Sequence, residues 1–283
     1  YETRDRRAVS SDSYRGELDG SKGGTGLISL QQIKKIYNPG TVDAMCLFDD
    51  FNLDILDGDF VSVVGSNGSG KTSMLNIICG NIGVDGGKIL IDGDDITHRK
   101  DFKRYRRIGR VYQDPAMGTC PSMTILENMS LADNKGRPYG LARGTNRKRA
   151  EEYREHLRQL NLGLEDKMNV KVGSLSGGQR QAMALIMSTM TPIDFLILDE
   201  HTAALDPRTA ETIMELTDRI VREKHLTTIM VTHNLRYAIE YGNRIVMMHQ
   251  GAAILDRRNG EKAATRVEDL LGLFNEISIE CGN

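Results

Sequence analysis

Phe60-Val61-Ser62-Val63-Val64 runs directly into Gly65-Ser66-Asn67-Gly68-Ser69-Gly70-Lys71-Thr72-Ser73. The first five residues are a nearly continuous apolar run, the pattern of a parallel strand buried on both faces. The segment from Gly65 to Thr72 matches Gly-x-x-x-x-Gly-Lys-Ser/Thr, and Leu75, Ile78, Cys79 and Ile82 then recur at helical spacing. Strand, glycine-rich loop and helix in that order make a phosphate cradle. The glycines let the backbone curl close to anionic oxygens, so that successive N–H groups point inward at the positive end of the helix dipole. In such a cradle the lysine reaches the β- and γ-phosphates and the following hydroxyl ligates Mg²⁺. Gly65, Ser66, Asn67, Gly68, Ser69, Gly70, Lys71, Thr72 and Ser73 are therefore predicted to bind ATP, with Thr72 on the metal.

A phosphate cradle of this kind needs a carboxylate at the end of an apolar strand nearby. Phe195-Leu196-Ile197-Leu198-Asp199-Glu200 supplies it. Asp199 is predicted to join the Mg²⁺ shell, and Glu200 to polarise the attacking water. Two adjacent acids closing a buried strand are costly without a cation or hydrogen-bonding partner; the alternative is that they cap the next helix.

Outward from these two motifs, residues 27–36 and 48–55 alternate loosely, and Ile89-Leu90-Ile91 before Asp92-Gly93 reads as a strand and turn. Ala150, Tyr153, Leu157 and Leu160 fall at helical spacing in a charged background, within a segment, about 120–175, predicted to be mostly helical. Thr228-Ile229-Met230-Val231 is another buried strand, separated from the acidic one by a helical stretch over 208–224. Strands alternating with helices predict an α/β fold with a mostly parallel core sheet. Residues 1–26, rich in Arg, Asp, Ser and Gly, are expected to form a mobile extension.

Leu175-Ser176-Gly177-Gly178-Gln179-Arg180-Gln181 resembles the signature motif of the ATP-binding cassette (ABC) ATPases, and the order of motifs is similar to that family over residues 28–256. Alone, the segment reads equally as a flexible start to a helix. The resemblance implies a P-loop NTPase cassette over 27–256 with an antiparallel β subdomain, an inserted helical subdomain at 120–175, and a helical tail over 257–283. It implies that two copies pair head to tail, so that Ser176, Gly177, Gly178 and Gln179 of one contact the γ-phosphate held by Lys71 of the other. Gln113, in Val111-Tyr112-Gln113-Asp114-Pro115, resembles the glutamine that joins the Mg²⁺ and water network; on its own it is also a polar strand-end residue. His233, in Val231-Thr232-His233-Asn234, resembles the histidine that touches the γ-phosphate, and a structural histidine is its rival. Ala204-Leu205-Asp206 resembles the loop linking the two ATP sites. Tyr37 is similar in place to the aromatic that stacks on adenine, with an ordinary core or surface tyrosine as the alternative. The implied catalytic set is thus Lys71, Gln113, Glu200 and His233, and the metal set Thr72, Gln113 and Asp199. One departure stands out: His201 follows Glu200 where the family most often has proline, which puts the geometry and pH response of that loop in question.

Composition sets outer limits. Lys and Arg number 37 against 39 Asp and Glu, for a net charge of −2, and the basic run at 104–110 stands alone, so no electrostatic case exists for nucleic acid. The longest charge-free runs, 72–84 and 181–193, are 13 residues each, short of the roughly 20 apolar residues that span a bilayer. Cys46, Cys79, Cys120 and Cys281 are far apart and are expected to be free thiols in a reducing compartment. The 13 methionines are expected to fill the core.

Within the family, the signature-to-acid run and Tyr241-Gly242-Asn243-Arg244 look most similar to the ATPases of a bacterial uptake group linked in some members to aromatic amino acids. That implies a subunit at the cytoplasmic face of the cell membrane, held by separate permease subunits and served by a separate substrate-binding protein. The rivals are an exporter ATPase and a soluble cluster-assembly ATPase. The 63 positions between Gln113 and Ser176 leave room for a compact helical subdomain only, and there is no second phosphate cradle.

Overall fold

The computed structural model describes residues 27–137 and 144–280, with side chains to 276. The extension expected at 1–26 lies outside them, as do Cys281 and the 138–143 part of the expected helical subdomain. The chain opens with β1 (Ile28–Tyr37), β2 (Met45–Ile55), β3 (Phe60–Gly65), α1 (Lys71–Cys79), β4 (Gly86–Ile91), β5 (Asp94–Asp95), α2 (Asp101–Arg104) and β6 (Ile108–Val111). It continues through α3 (Ile125–Asp133), α4 (Ala150–Arg158), α5 (Gly177–Thr189), β7 (Phe195–Asp199), α6 (Pro207–Lys224) and β8 (Thr227–Val231). It closes with α7 (Leu235–Glu240), β9 (Arg244–His249), β10 (Ala252–Arg258), α8 (Asn259–Ala263) and α9 (Val267–Glu280).

Two sheets form. The smaller is antiparallel, in the order β2-β1-β4-β5; the larger runs β10-β9-β3-β8-β7-β6 and is parallel except for the β9-β10 hairpin. The acidic strand β7 is not β3's direct neighbour, because β8 lies between them. Alternation along the strands sorts the side chains into two layers. Phe195 and Ile197 face a core shared with α1 and the small sheet, through Met74, Leu75, Ile78, Phe48 and Ile55. Leu196 and Leu198 face the opposite layer, packed with Met183, Ile186, Ile213 and Met214 from α5 and α6. A third cluster sets Ile245 and Met247 of β9 against Ala238 and Leu270.

Several expectations shift in detail. Helix α1 stops at Cys79, because Gly80 takes φ 84° and its N–H returns to the carbonyls of Asn76 and Ile77. Ile82 therefore packs from the turn beyond, half-buried against the same core. The described part of 120–175 is less helical than expected: α3 and α4 are nine residues each, with a single 3₁₀ turn at Arg147–Arg149 before α4 and two more, Glu165–Lys167 and Val172–Ser174, after it. At the other end, β10 extends to Arg258 before the C-terminal helices begin. Met74, Met129, Met183, Met214, Met230, Met247 and Met248 fill the core as expected, but Met117 and Met45 are exposed. Cys46, Cys79 and Cys120 are free.

The basic run turns inward. Arg104 bonds the Ile77 and Ile78 carbonyls at 2.7 and 3.1 Å, placing a cation on the negative end of α1. Arg107 bridges Asp92 and Asp194. Arg244 is buried between Asp59 at 3.1 Å and Asp256 at 2.6 Å, and its guanidinium also donates to the Asp54 carbonyl, so it ties the two sheets together.

Candidate functional site

The loop between β3 and α1 lines a cavity of about 510 Å³ together with Tyr37, Asn38, Met45, Leu47, Glu200 and His233, a volume suited to a small-molecule ligand. Asn67, Gly68, Ser69, Gly70, Lys71, Thr72 and Ser73 all face it. Gly70 takes φ 101°, and a Cβ there would lie 2.8 Å from the Phe48 ring, so neither the backbone conformation nor the space admits another residue. Two features mark the loop as built for an anion. Ser69 Oγ is buried without a hydrogen-bond partner. Lys71 Nζ turns onto the Gly65 and Ser66 carbonyls, at 2.8 Å each. Burial lowers the Lys71 pKa below the ordinary lysine value, against the opposing pull of Glu200 and Asp199. A polyphosphate at the start of α1 would answer both groups. Tyr37 also lines the cavity, its hydroxyl donating to Ser73 Oγ at 3.1 Å.

Strand β7 delivers its two acids to different partners. Asp199 Oδ2 accepts a hydrogen bond from Arg110 at 2.7 Å. Glu200 bends away at φ 48° with its N–H on the Val231 carbonyl, and its Oε1 meets His233 Nε2 at 2.7 Å. A non-glycine residue in this backbone region is strained, a condition that clusters at functional sites. The capping alternative for the acid pair does not hold: α6 is capped by Asp206, whose Oδ1 accepts from the Thr209 N–H at 3.1 Å, with Pro207 in the first turn.

His201 is fully buried, with Nε2 3.2 Å from Thr217 Oγ1. Burial alone pushes its pKa down to about 4, so the ring is neutral near pH 7. The unfolded chain binds a proton near pH 6.5 and the folded chain does not until about 4. His201 therefore contributes stability above pH 6.5 that is lost as the pH falls toward 4, roughly 3 kcal/mol in all. Unfolding titrations of the wild type and His201→Gln between pH 7.5 and 4 should converge or cross in favour of the variant on the acid side. A constant difference across that range would show that His201 does not titrate in this window.

Some predicted residues stay apart from the cavity in a single chain. Gln113 is exposed just beyond β6 and does not line it. Ser176, Gly177, Gly178 and Gln179 open α5 on another face, where Ser176 Oγ accepts from the Gln179 N–H and Gln179 Oε1 from the Ser176 N–H, both at 3.2 Å. Gly178 is needed for packing, since a Cβ there would lie 2.3 Å from Thr209 Cγ2 of α6. The three metal candidates are likewise spread: Thr72 lines the cavity, Asp199 closes β7 and Gln113 lies outside. Among the described residues no group of three or more His, Cys, Asp or Glu is placed to hold a metal.

Reading the sequence missed Met45 and Leu47 in the cavity wall and, above all, Arg110. Its signal was present, a charge inside the otherwise apolar Ile108-Gly109-Arg110-Val111, all four buried. Such a charge requires a partner.

Residues 48–203 match the sequence family described as ABC transporter. The chain is 45% identical over 249 residues to a "Tyrosine transport ATP-binding protein" of Clostridioides difficile (strain R20291), covering 88% of this chain and 98% of that one. It is 33% identical over 230 residues to a "Spermidine/putrescine import ATP-binding protein PotA" of Haemophilus influenzae, covering 81% of this chain but only 57% of the relative's length. Among solved structures, the dimeric ATP-binding cassette MJ0796 in a post-hydrolysis state bound to ADP and Pi is similar at a TM-score of 0.70 and 30% identity, covering 82% of this chain and 98% of that one. The ADP conformation of the cassette MJ1267 shares the fold at a TM-score of 0.74 and 23% identity, over 91% of this chain and 99% of that one. With that family model matched over more than half of its length and a relative 45% identical over nearly the whole of the relative, the chain belongs to the ABC transporter family as one of its ATPase cassettes.

Proposed function

We propose that this chain is the ATP-hydrolysing subunit of an uptake system for amino acids, working as a head-to-tail pair on separate permease subunits at the cytoplasmic face of the membrane. The observation that carries the chemistry is the Glu200–His233 contact of 2.7 Å at the rim of the phosphate-loop cavity. Both residues line the same cavity as Lys71, which supports a carboxylate acting on a γ-phosphate that Lys71 would hold. Glu200 orients the attacking water and takes its proton, and His233 holds Glu200 and then meets the γ-phosphate. Lys71 leaves the Gly65 and Ser66 carbonyls for the β- and γ-phosphate oxygens. Ser69 and the loop N–H groups cradle the remaining charge, while Tyr37 stacks on the base. Mg²⁺ would be held by Thr72 and Asp199, with Gln113 moving in, and would neutralise charge developing on the phosphates.

The signature supports the pairing. Ser176, Gly177, Gly178 and Gln179 lie off the cavity of their own chain, at a helix N-terminus suited to an anion, and the neighbour MJ0796 is dimeric. No helix of the described residues is long and apolar enough to cross a membrane, and the permease is proposed to be formed by separate chains. Uptake is supported by the relative named for spermidine/putrescine import, and an amino-acid cargo by the relative named for tyrosine transport, matched over 98% of its length. The permease and a separate binding protein select the cargo. Reconstituting the chain with its permease in vesicles should give tyrosine accumulation that depends on ATP. ATP-driven efflux, or a chain that associates with no permease, would overturn the reading.

A further inference from the structure

Arg110 lies outside every motif of the family, yet it sits at the centre of the nucleotide site's supporting structure. Its side chain is 4% exposed. One arm of the guanidinium donates to Asp199 Oδ2 at 2.7 Å, and the other to Asn76 Oδ1 of α1 at 2.8 Å. The guanidinium lies over the Tyr112 ring at 4.6 Å. The Tyr112 carbonyl accepts from Gln181 Nε2 of the signature helix at 3.0 Å, and Gln113 comes next in sequence. The Arg110 carbonyl is also taken, by Ser188 Oγ of α5 at 2.9 Å.

Chemistry makes this arrangement specific. Guanidinium is planar and always charged, and its forked donors hold two acceptors at a defined angle, which an ammonium cannot reproduce. Asp199 is a buried carboxylate, and Lys71 donates to backbone carbonyls instead. The fork therefore fixes Asp199 relative to α1, the helix that presents Thr72. Carboxylates that bind metals are commonly oriented by such outer partners. We infer that Arg110 is a positioning residue for Asp199: it aims the carboxylate for the Mg²⁺ that accompanies ATP and ties it to the strand leading to Gln113. This rests on the reading of Asp199 as the metal carboxylate.

The test is a Mg²⁺ titration of the binding of a fluorescent non-hydrolysable ATP analogue to the full chain, with a parallel measurement in EDTA. For Arg110→Met the Mg²⁺ concentration giving half-maximal effect should rise about 10- to 100-fold, while binding in EDTA stays near the wild-type value. Arg110→Lys keeps the charge without the fork and should show a smaller rise in the same direction; it carries the test if Arg110→Met does not fold. An unchanged or lowered Mg²⁺ requirement would overturn the inference, the lowered value showing that Arg110 competes with the ion. Equal weakening with and without Mg²⁺ would overturn it too, because that is the mark of a general packing role. If the wild type itself shows no Mg²⁺ dependence, it is the underlying metal reading that fails.

Discussion

Glu200→Gln is expected to lower ATP turnover by about 10²- to 10⁴-fold, the usual contribution of a positioned general base, while ATP binding persists. The amide keeps the shape of the side chain and the backbone bend at φ 48°, so the Lys71 cradle and the tie to β8 remain. The group lost is the carboxylate proposed to accept the water's proton. If the proposed head-to-tail pair holds ATP between its two chains and opens when ATP is hydrolysed, the variant should accumulate as an ATP-bound dimer, visible by size-exclusion chromatography with ATP and absent with ADP. Turnover at the wild-type rate would remove Glu200 from the mechanism. Slow turnover without a trapped dimer would separate its chemical role from the closing of the pair.

The legible parts of this chain are those where local chemistry and chain order coincide. The β3–loop–α1 unit is contiguous in sequence, and each step of it, apolar run, glycines, lysine and apolar helix face, follows from steric and electrostatic needs that act over a few residues. Glu200 and His233 were equally readable as strand-end residues, because β7 and β8 are short apolar runs whose ends are marked by polar residues. Their contact was not readable, since it depends on β7 and β8 being neighbours and on the backbone bend at Glu200. Arg110 was hidden for the same reason. In sequence it belonged to a run of four arginines weighed only as a possible nucleic-acid patch, and only the parallel pairing of β6 with β7 brings it beside Asp199. The helical content of 120–175 was overstated for the described residues because α4 is followed by short turns whose apolar residues, such as Leu164, Met168 and Val172, are buried without belonging to a long helix. His201 showed its position but not its state, which burial decides.

The second large effect concerns two residues that do not share a cavity within one chain. Lys71→Met removes the ammonium that Gly65 and Ser66 hold ready for phosphate, and Ser176→Arg removes the hydroxyl capping α5 and places a long cation where the anion should meet the helix. Loss of the cap costs about 1 kcal/mol, so the second variant should still fold, and each homodimer should hydrolyse ATP at a background rate. Mixed in equal amounts, however, the two should recover. In a head-to-tail dimer of one chain of each kind, both defects fall in the same site, and the other site is assembled from an intact Lys71 and an intact Ser176. Random pairing with independent sites returns about a quarter of the wild-type rate, since half the dimers are mixed and each has one sound site of two. If the signature instead served the ATP of its own chain, every site in the mixture would carry one defect and no recovery would occur. Activity that stays at background while mixed dimers are shown to form would therefore overturn the head-to-tail arrangement.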